Sequence, residues 1–267
     1  MTLHIISLGL GNLRDITING MNAIMKSKLV FLENYTAIMN CTQKEMENFY
    51  QKKIILATRE LVEKESDKIL NPAKTENIAF LVVGDAFGAT THADLFLRAK
   101  EKNIQIKIYH NASIMNAIGE TGLELYKLGK TTSVVFDDNN WLPETPYNVI
   151  NENLKRGLHT LCLLDIKVAE PTPENIRKEL DKPEPPRFMT INKAIKILKK
   201  LEEKKQNKII SDETIGIGIA RIGAEDQIIK TATLKELEQT NFGKEMHSLI
   251  IPGKLHEIEE QMINQHK

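Results

Sequence analysis

Three short stretches bring together residue types that could do chemistry. In "HIISLGLGNLRDIT" (residues 4–17) an apolar run breaks at Gly9-Leu10-Gly11 before a helical pattern begins. Strand, glycine turn, helix and a second strand ending in Glu33 follow in the order of a dinucleotide-binding unit, where the turn holds a pyrophosphate and the acid a ribose. That fingerprint wants a third glycine at position 14, where helix and strand pack closely, and the chain has Arg14 there. The spacing therefore favours a turn that lets backbone come close to a neighbour or a ligand.

The second stretch, "LVVGDAFGATTHADLFLRA" (81–99), leaves a strand through Gly84-Asp85, turns again at Gly88 and enters a helix through Thr90 and Thr91. An acid at a strand end offers an acceptor for hydroxyls or an amine, and the helix start offers donors for a carboxylate. Together they suit an amino-acid-bearing nucleoside. The same residues equally suit a turn capped by Asp85 and a helix capped by Thr91. His92, one position into that helix, is expected to be exposed. In the third stretch, "IYHNASIMNAIGETG" (108–122), another strand end meets a helix start; Ser113 suits an N-cap and Met115 a core position.

The elements that must position these loops are alternating strands and helices. Apolar runs at 3–9, 29–33, 53–57, 78–84 and 104–110 read as strands of a parallel sheet joined by crossover helices. Ile16, Gly20 and Ile24 recur every four residues in the first gap, and Leu95, Leu97 and Ala99 fall in a helix after Thr91. Later runs at 131–136, 158–168, 214–223, 227–234 and 247–253 are also strand-like, three of them close enough to be antiparallel neighbours. Between them, 169–190 is rich in proline and reads as an exposed excursion, and 191–206 is an amphipathic helix with Ile191, Ile195 and Leu198 inward. A boundary after the fifth strand gives an N-terminal α/β lobe over 1–109 and a C-terminal α/β lobe over 110–267, and clefts between lobes favour ligands.

Composition narrows the partners. Basic and acidic residues both number 36 in the 267-residue chain, so no net field recommends nucleic acid or an acidic membrane. No apolar run approaches the about 20 residues of a membrane helix, and no basic segment precedes the first apolar one. Cys41 and Cys162 lie far apart, Cys162 inside an apolar run, which fits a reducing compartment and a cytoplasmic protein. No metal-ligating pattern is expected.

The three loops in this order, with "ENLKRGLHTLCLLDIKV" (152–168), "GIARIGAEDQ" (218–227) and "HSLIIPGKLHEIE" (247–259), closely resemble the diphthine synthase family of the tetrapyrrole methylase superfamily. The resemblance spans nearly the whole chain. It implies a two-lobed α/β fold with a parallel-rich N-terminal sheet, a mixed C-terminal sheet and S-adenosylmethionine in the cleft between, in a homodimer. It implies a protein substrate, elongation factor 2, whose aminocarboxypropyl-extended histidine is methylated repeatedly on its amine. In the eukaryotic branch, which the length and "GAEDQ" resemble, a carboxylate is methylated too, giving diphthine methyl ester after four transfers. Carried over residue by residue, the cofactor contacts are Leu10, Asp85, Gly88, Ser113 and Ile114, with Leu164, Ile222 and His247 from the C-terminal lobe. Pattern alone reads those last three as strand residues. Ala86 departs from the family's usual proline and is expected to loosen its loop.

Methyl transfer from a sulfonium needs no general acid, and a carboxylate acceptor needs no base, but an amine must first lose a proton. Sequence does not select that base among His92, His110, His247 and solvent, so no catalytic residue is assigned. Two other readings stay open: a methylase of a tetrapyrrole precursor, disfavoured by few arginines among the 36 basic residues, and a non-catalytic adenosylmethionine-binding regulator.

Overall fold

The apolar runs of the first hundred residues become strands because β-branched and aromatic side chains fit a pleated surface buried on both faces. The computed structural model describes residues 1–138, 141–168 and 185–267, and the chain divides into two units, 1–117 with 223–225, and 118–222 with 226–267.

The first unit holds a five-stranded parallel sheet of β1 (Thr2–Ser7), β2 (Leu29–Glu33), β3 (Ile54–Ala57), β4 (Ile78–Val82) and β5 (Gln105–Tyr109), in the order β3-β2-β4-β1-β5. β4 is central and wholly buried, whereas β5, at an edge, alternates exposed Gln105 and Lys107 with more buried neighbours. The chain runs from β1 toward the β3 edge and from β4 toward the β5 edge. Right-handed crossovers therefore carry the two connections to opposite faces, and they part at the C-terminal edge of β1 and β4, where open α/β sheets bind ligands.

The helix Ile18–Lys26 starts at Thr17, whose hydroxyl accepts from Gly20 N at 3.0 Å, and buries Gly20 and Ile24 as their spacing predicts. A side chain at Gly20 would sit 2.9 Å from Ile6 Cγ2, so the glycine sets how closely helix and strand approach. The helix after β4 spans Ala93–Glu101 with His92, not Thr91, at its N-cap position. Leu95 and Ala99 are buried, but Leu97 is 59% exposed. Two residues on a helix are about 200° apart, which puts Leu97 on the face opposite Leu95.

The second unit holds a mixed sheet of β6 (Thr132–Val134), β7 (Thr160–Leu164), β10 (Ile215–Ala220), β11 (Ile228–Thr233) and β12 (His247–Ile251), ordered β11-β10-β12-β7-β6, with only β6 and β7 parallel. β8 (Ile166–Lys167) and β9 (Arg187–Phe188) form a separate pair, so the run read as one strand over 158–168 breaks at Asp165. There the Asp165 carboxylate accepts from Phe136 N and its carbonyl from Met189 N, which turns the chain out of the sheet. Most of the proline-rich stretch, 169–184, lies outside the described residues. The helix Ile191–Lys205 buries Ile191, Ile195 and Leu198, as its periodicity requires, together with Ala194, Ile197 and Leu201. Cys162 is fully buried beneath it, and burial pushes its thiol up to about 12. Among the described residues no helix is long and apolar enough to cross a membrane.

Candidate functional site

The three glycine-bearing loops meet in the first unit. Gly9 and Gly84 both adopt positive φ, 80° and 78°, and exchange backbone hydrogen bonds, Gly9 N to Gly84 O at 3.1 Å and Gly84 N to Gly9 O at 2.8 Å. This clasp joins the first turn to the second. Gly11 is required for another reason: a Cβ there would overlap the carbonyl of Gly223 in the short 223–225 segment of the same unit.

The structure also sets the opening turn apart from a pyrophosphate site. Gly11 N and Asn12 N, the donors that would face a phosphate, both donate to Asp15 Oδ2, at 2.7 and 3.2 Å. A carboxylate of the chain itself fills the anion position and would repel another. Glu33, placed where a ribose-binding acid would stand, is fully buried; its oxygens accept from Tyr35 N, Thr36 N and the Thr36 hydroxyl, each at 2.6 Å. It fastens its own turn.

Asp85 is the centre of the constellation. Its Oδ1 accepts from Phe87 N at 2.9 Å, and its Oδ2 from His110 Nδ1 at 2.9 Å, Asn111 N at 3.0 Å and the Ser7 hydroxyl at 3.3 Å. Burial alone would raise this carboxyl, but the N–H groups of Phe87 and Asn111, together with His110, outweigh it and hold Asp85 below the usual carboxylate range. One ionised group thus ties the ends of β1, β4 and β5. Asn111 adds a second tie, donating from Nδ2 to Asp15 O at 2.8 Å and to Ser7 O at 3.3 Å.

The loop at Ala86 is not loose. Ala86 is fully buried; its N–H, which a proline would lack, donates to Ser7 Oγ at 3.0 Å, and its carbonyl accepts from the Thr90 hydroxyl and from His92 Nδ1. His92 is correspondingly buried at 0% exposure, contrary to its expected exposure, because its ring turns inward against Phe80 and Tyr35 to reach that carbonyl. Burial, chiefly, lowers its pKa, so the ring is neutral.

Of the residues named from sequence, the first unit gathers Leu10, Asp85, Gly88 and Ser113. A Cβ on Gly84 would lie 3.8 Å from both Leu10 and Ser113, and one on Gly88 would lie 2.7 Å from Ser113 Oγ and 3.4 Å from Asp85 Cβ. Ser113 is buried, with its Oγ accepting from Met115 N and its N–H donating to Asn116, and half-buried Ile114 follows it. In the second unit, Leu163 pairs with Ser248 and Ala220 with His247, so Leu164, Ile222 and His247 stand at one end of three adjacent strands. The His247 ring is engaged at both nitrogens: Nε2 donates to Lys244 O at 2.8 Å and Nδ1 accepts from Ile191 N at 3.4 Å. Burial first, then Arg221, lowers its pKa. Any ligand contact it makes therefore runs through its backbone or ring face.

Sequence reasoning left Ser7 and Asn111 unassigned and His110 undecided. The one signal they share is a polar residue at the C-terminal end of a parallel strand, the edge where such sheets bind ligands. Glu124, His256 and Glu259 of the second unit also lie close enough to share a metal ion, within 4.8 Å. Yet Glu259 already accepts from Lys127, His159 Nε2, Glu124 N and His256 N, and this network holds the final helix.

The profile described as Tetrapyrrole (Corrin/Porphyrin) Methylases matches residues 2–238. The diphthine methyl ester synthase of Saccharomyces cerevisiae is 49% identical over 259 residues, covering 96% of this chain and 86% of the relative. That of Homo sapiens is 43% identical over 267 residues, covering 98% and 94%. A crystal structure of a candidate diphthine synthase from Entamoeba histolytica superposes with a TM-score of 0.88 at 43% identity, covering 100% of this chain and 98% of that one.

Proposed function

The chain belongs to the tetrapyrrole (corrin/porphyrin) methylase family and is a methyltransferase of diphthamide biosynthesis; from that premise we propose that it methylates the aminocarboxypropyl-extended histidine of elongation factor 2, using S-adenosylmethionine. The amine receives three methyl groups and the carboxylate one, giving diphthine methyl ester. The enzyme acts in the cytoplasm as a homodimer. The observation that carries this reading is the convergence of three strand ends on one ionised carboxylate, Asp85, in a chain similar over 96% of its length to a diphthine methyl ester synthase.

The residues present fit this methyl donor. A sulfonium ligand carries positive charge and no phosphate; the first unit offers it an ionised acid and closes its phosphate-like position with Asp15. The proposed contacts are Leu10, Asp85, Gly88, Ser113 and Ile114 within the first unit, and Leu164, Ile222 and His247 within the second. When bound, the donor supplies an electrophilic methyl group whose leaving thioether needs no proton. The chain's own contribution is then positioning, worth effective molarities of about 10⁵ M or more when reactants are well aligned. Asp85 fixes the loops, and the missing side chain at Gly88 lets Ser113 close against them.

Gly88→Val tests that packing. Its branched side chain would meet Ser113 Oγ and Cβ at under 3 Å, forcing the second and third loops apart. Adenosylhomocysteine affinity by calorimetry is expected to fall about tenfold, because overpacking of this kind costs about 1–3 kcal/mol; unchanged affinity would refute the contact.

The reaction is tested by intact-mass spectrometry of elongation factor 2 bearing the aminocarboxypropyl histidine, incubated with the enzyme and S-adenosylmethionine. Successive methyl increments ending at four are expected. An end at three would restrict the reaction to the amine, and no increment despite measured cofactor binding would overturn the acceptor assignment.

A further inference from the structure

Each amine methylation must begin with loss of a proton, since an alkyl ammonium is charged at neutral pH whereas a carboxylate acceptor is already a nucleophile. We propose that His110 is the general base for the amine transfers and that Asp85 orients it. The assignment rests on the acceptor chemistry proposed above.

Geometry separates His110 from the other six histidines. His92, His159 and His247 are buried, and the structure uses them: His92 donates to Ala86 O, His159 bridges Glu259 and Gly253 N, and His247 bridges Lys244 O and Ile191 N. His256 caps the final helix through Nδ1 and meets Glu124 through Nε2. His4 lies within β1, bonded to the Tyr109 hydroxyl, and His266 lies at the C-terminal end of the chain. His110 alone stands at the C-terminal edge of the parallel sheet among the three converging loops, with its side chain 69% exposed.

Its orientation is fixed from behind. Asp85 is ionised, accepts from His110 Nδ1 at 2.9 Å, and is itself held by Phe87 N, Asn111 N and the Ser7 hydroxyl. An ionised carboxylate can only accept, so Nδ1 carries the hydrogen, and in the neutral ring the lone pair falls on Nε2. Carboxylate, imidazole and open Nε2 form the arrangement in which a histidine takes a proton from a nucleophile. In each transfer Nε2 takes one proton from the ammonium, and the freed nitrogen lone pair forms the new N–C bond. The C–S bond breaks with its electron pair passing to sulfur, which leaves as a neutral thioether, and the imidazolium returns its proton to water. Three amine methylations need three such deprotonations; the ester transfer needs none.

That difference supplies the test. In His110→Asn the amide can still donate to Asp85, so the loops stay tied while the base is lost. Adenosylhomocysteine affinity by calorimetry is expected to stay within about twofold of wild type. Single-turnover amine methylation, followed by intact mass, is expected to fall by about 10² to 10⁴ at neutral pH, the usual contribution of a general base. The deficit should shrink as pH rises and free amine accumulates. Ester formation on factor whose amine is already trimethylated should keep its wild-type rate. Equal losses in amine and ester transfer would overturn the proposal in favour of a structural role, and an unchanged amine rate would overturn it in favour of solvent. Absence of any increment with the wild-type enzyme would instead overturn the acceptor assignment, and this one with it.

Discussion

Asp85→Ala is expected to weaken adenosylhomocysteine binding by about a hundredfold or more and to lower the melting temperature by several degrees. The carboxylate accepts four hydrogen bonds, from its own loop and from the ends of β1 and β5. Removing it leaves the N–H groups of Phe87 and Asn111 unpaired, at about 1–3 kcal/mol each if water cannot reach them. Both sites are only part-buried, so the lower end applies, and about 2 kcal/mol corresponds to about 4–8 °C in a chain of this size. Asp85→Asn separates the two effects. It keeps an acceptor for one or two of the donors but removes the charge, so its affinity loss should exceed its stability loss. Calorimetry and thermal melts on both variants check this; a lowered melting temperature with unchanged affinity would make Asp85 structural only.

The second large effect is on stability alone. Glu259 is fully buried and faces four donors, Lys127, His159 Nε2, Glu124 N and His256 N. An amide in its place offers one acceptor oxygen and turns an NH₂ group toward donors. Glu259→Gln is therefore expected to cost about 3 kcal/mol, the low end for breaking a buried ion pair, because Lys127 is 24% exposed and can turn to water. The pH dependence has a definite sign. Burial raises this carboxyl, but Lys127 and the hydrogen bonds from Glu124, His159 and His256 outweigh it and hold it at about 2, below the unfolded value of about 4.3. A depressed carboxyl stabilises the fold above its unfolded pKa, and that contribution is lost as pH falls from about 4 toward 2. Denaturant midpoints for wild type and variant should differ at pH 7 and converge near pH 2; a constant gap would refute the ion-pair account.

Legibility followed a physical division. The five parallel strands and the helix Ile191–Lys205 could be read because burial imposes a period that neighbouring residues share. Leu97 falls in its expected helix, but apolar character alone does not say which face it occupies, and it is exposed. His92 was expected to be exposed because it stands one position into its helix, and nothing local signals that its ring folds back to Ala86 O. Ala86 was expected to loosen its loop because its compensating partner, Ser7, is 79 residues away.

By itself, then, the sequence determined most of the strands, their order along the chain, the family and the three loops at strand ends, since all of these are written in local pattern and in motif. Tertiary structure alone decided which polar groups meet. Insertion of β4 between β2 and β1 puts the end of β4 beside the end of β1, and β5 pairs with β1 on its other side. That order carries Asp85 to Ser7, His110 and Asn111 across separations of 78, 25 and 26 residues. The approach of Gly223 to Gly11, across more than two hundred residues, is likewise absent from any local pattern. Periodicity records whether a side chain is buried, because burial depends on which face it occupies. It does not record the partner, because that depends on strand order.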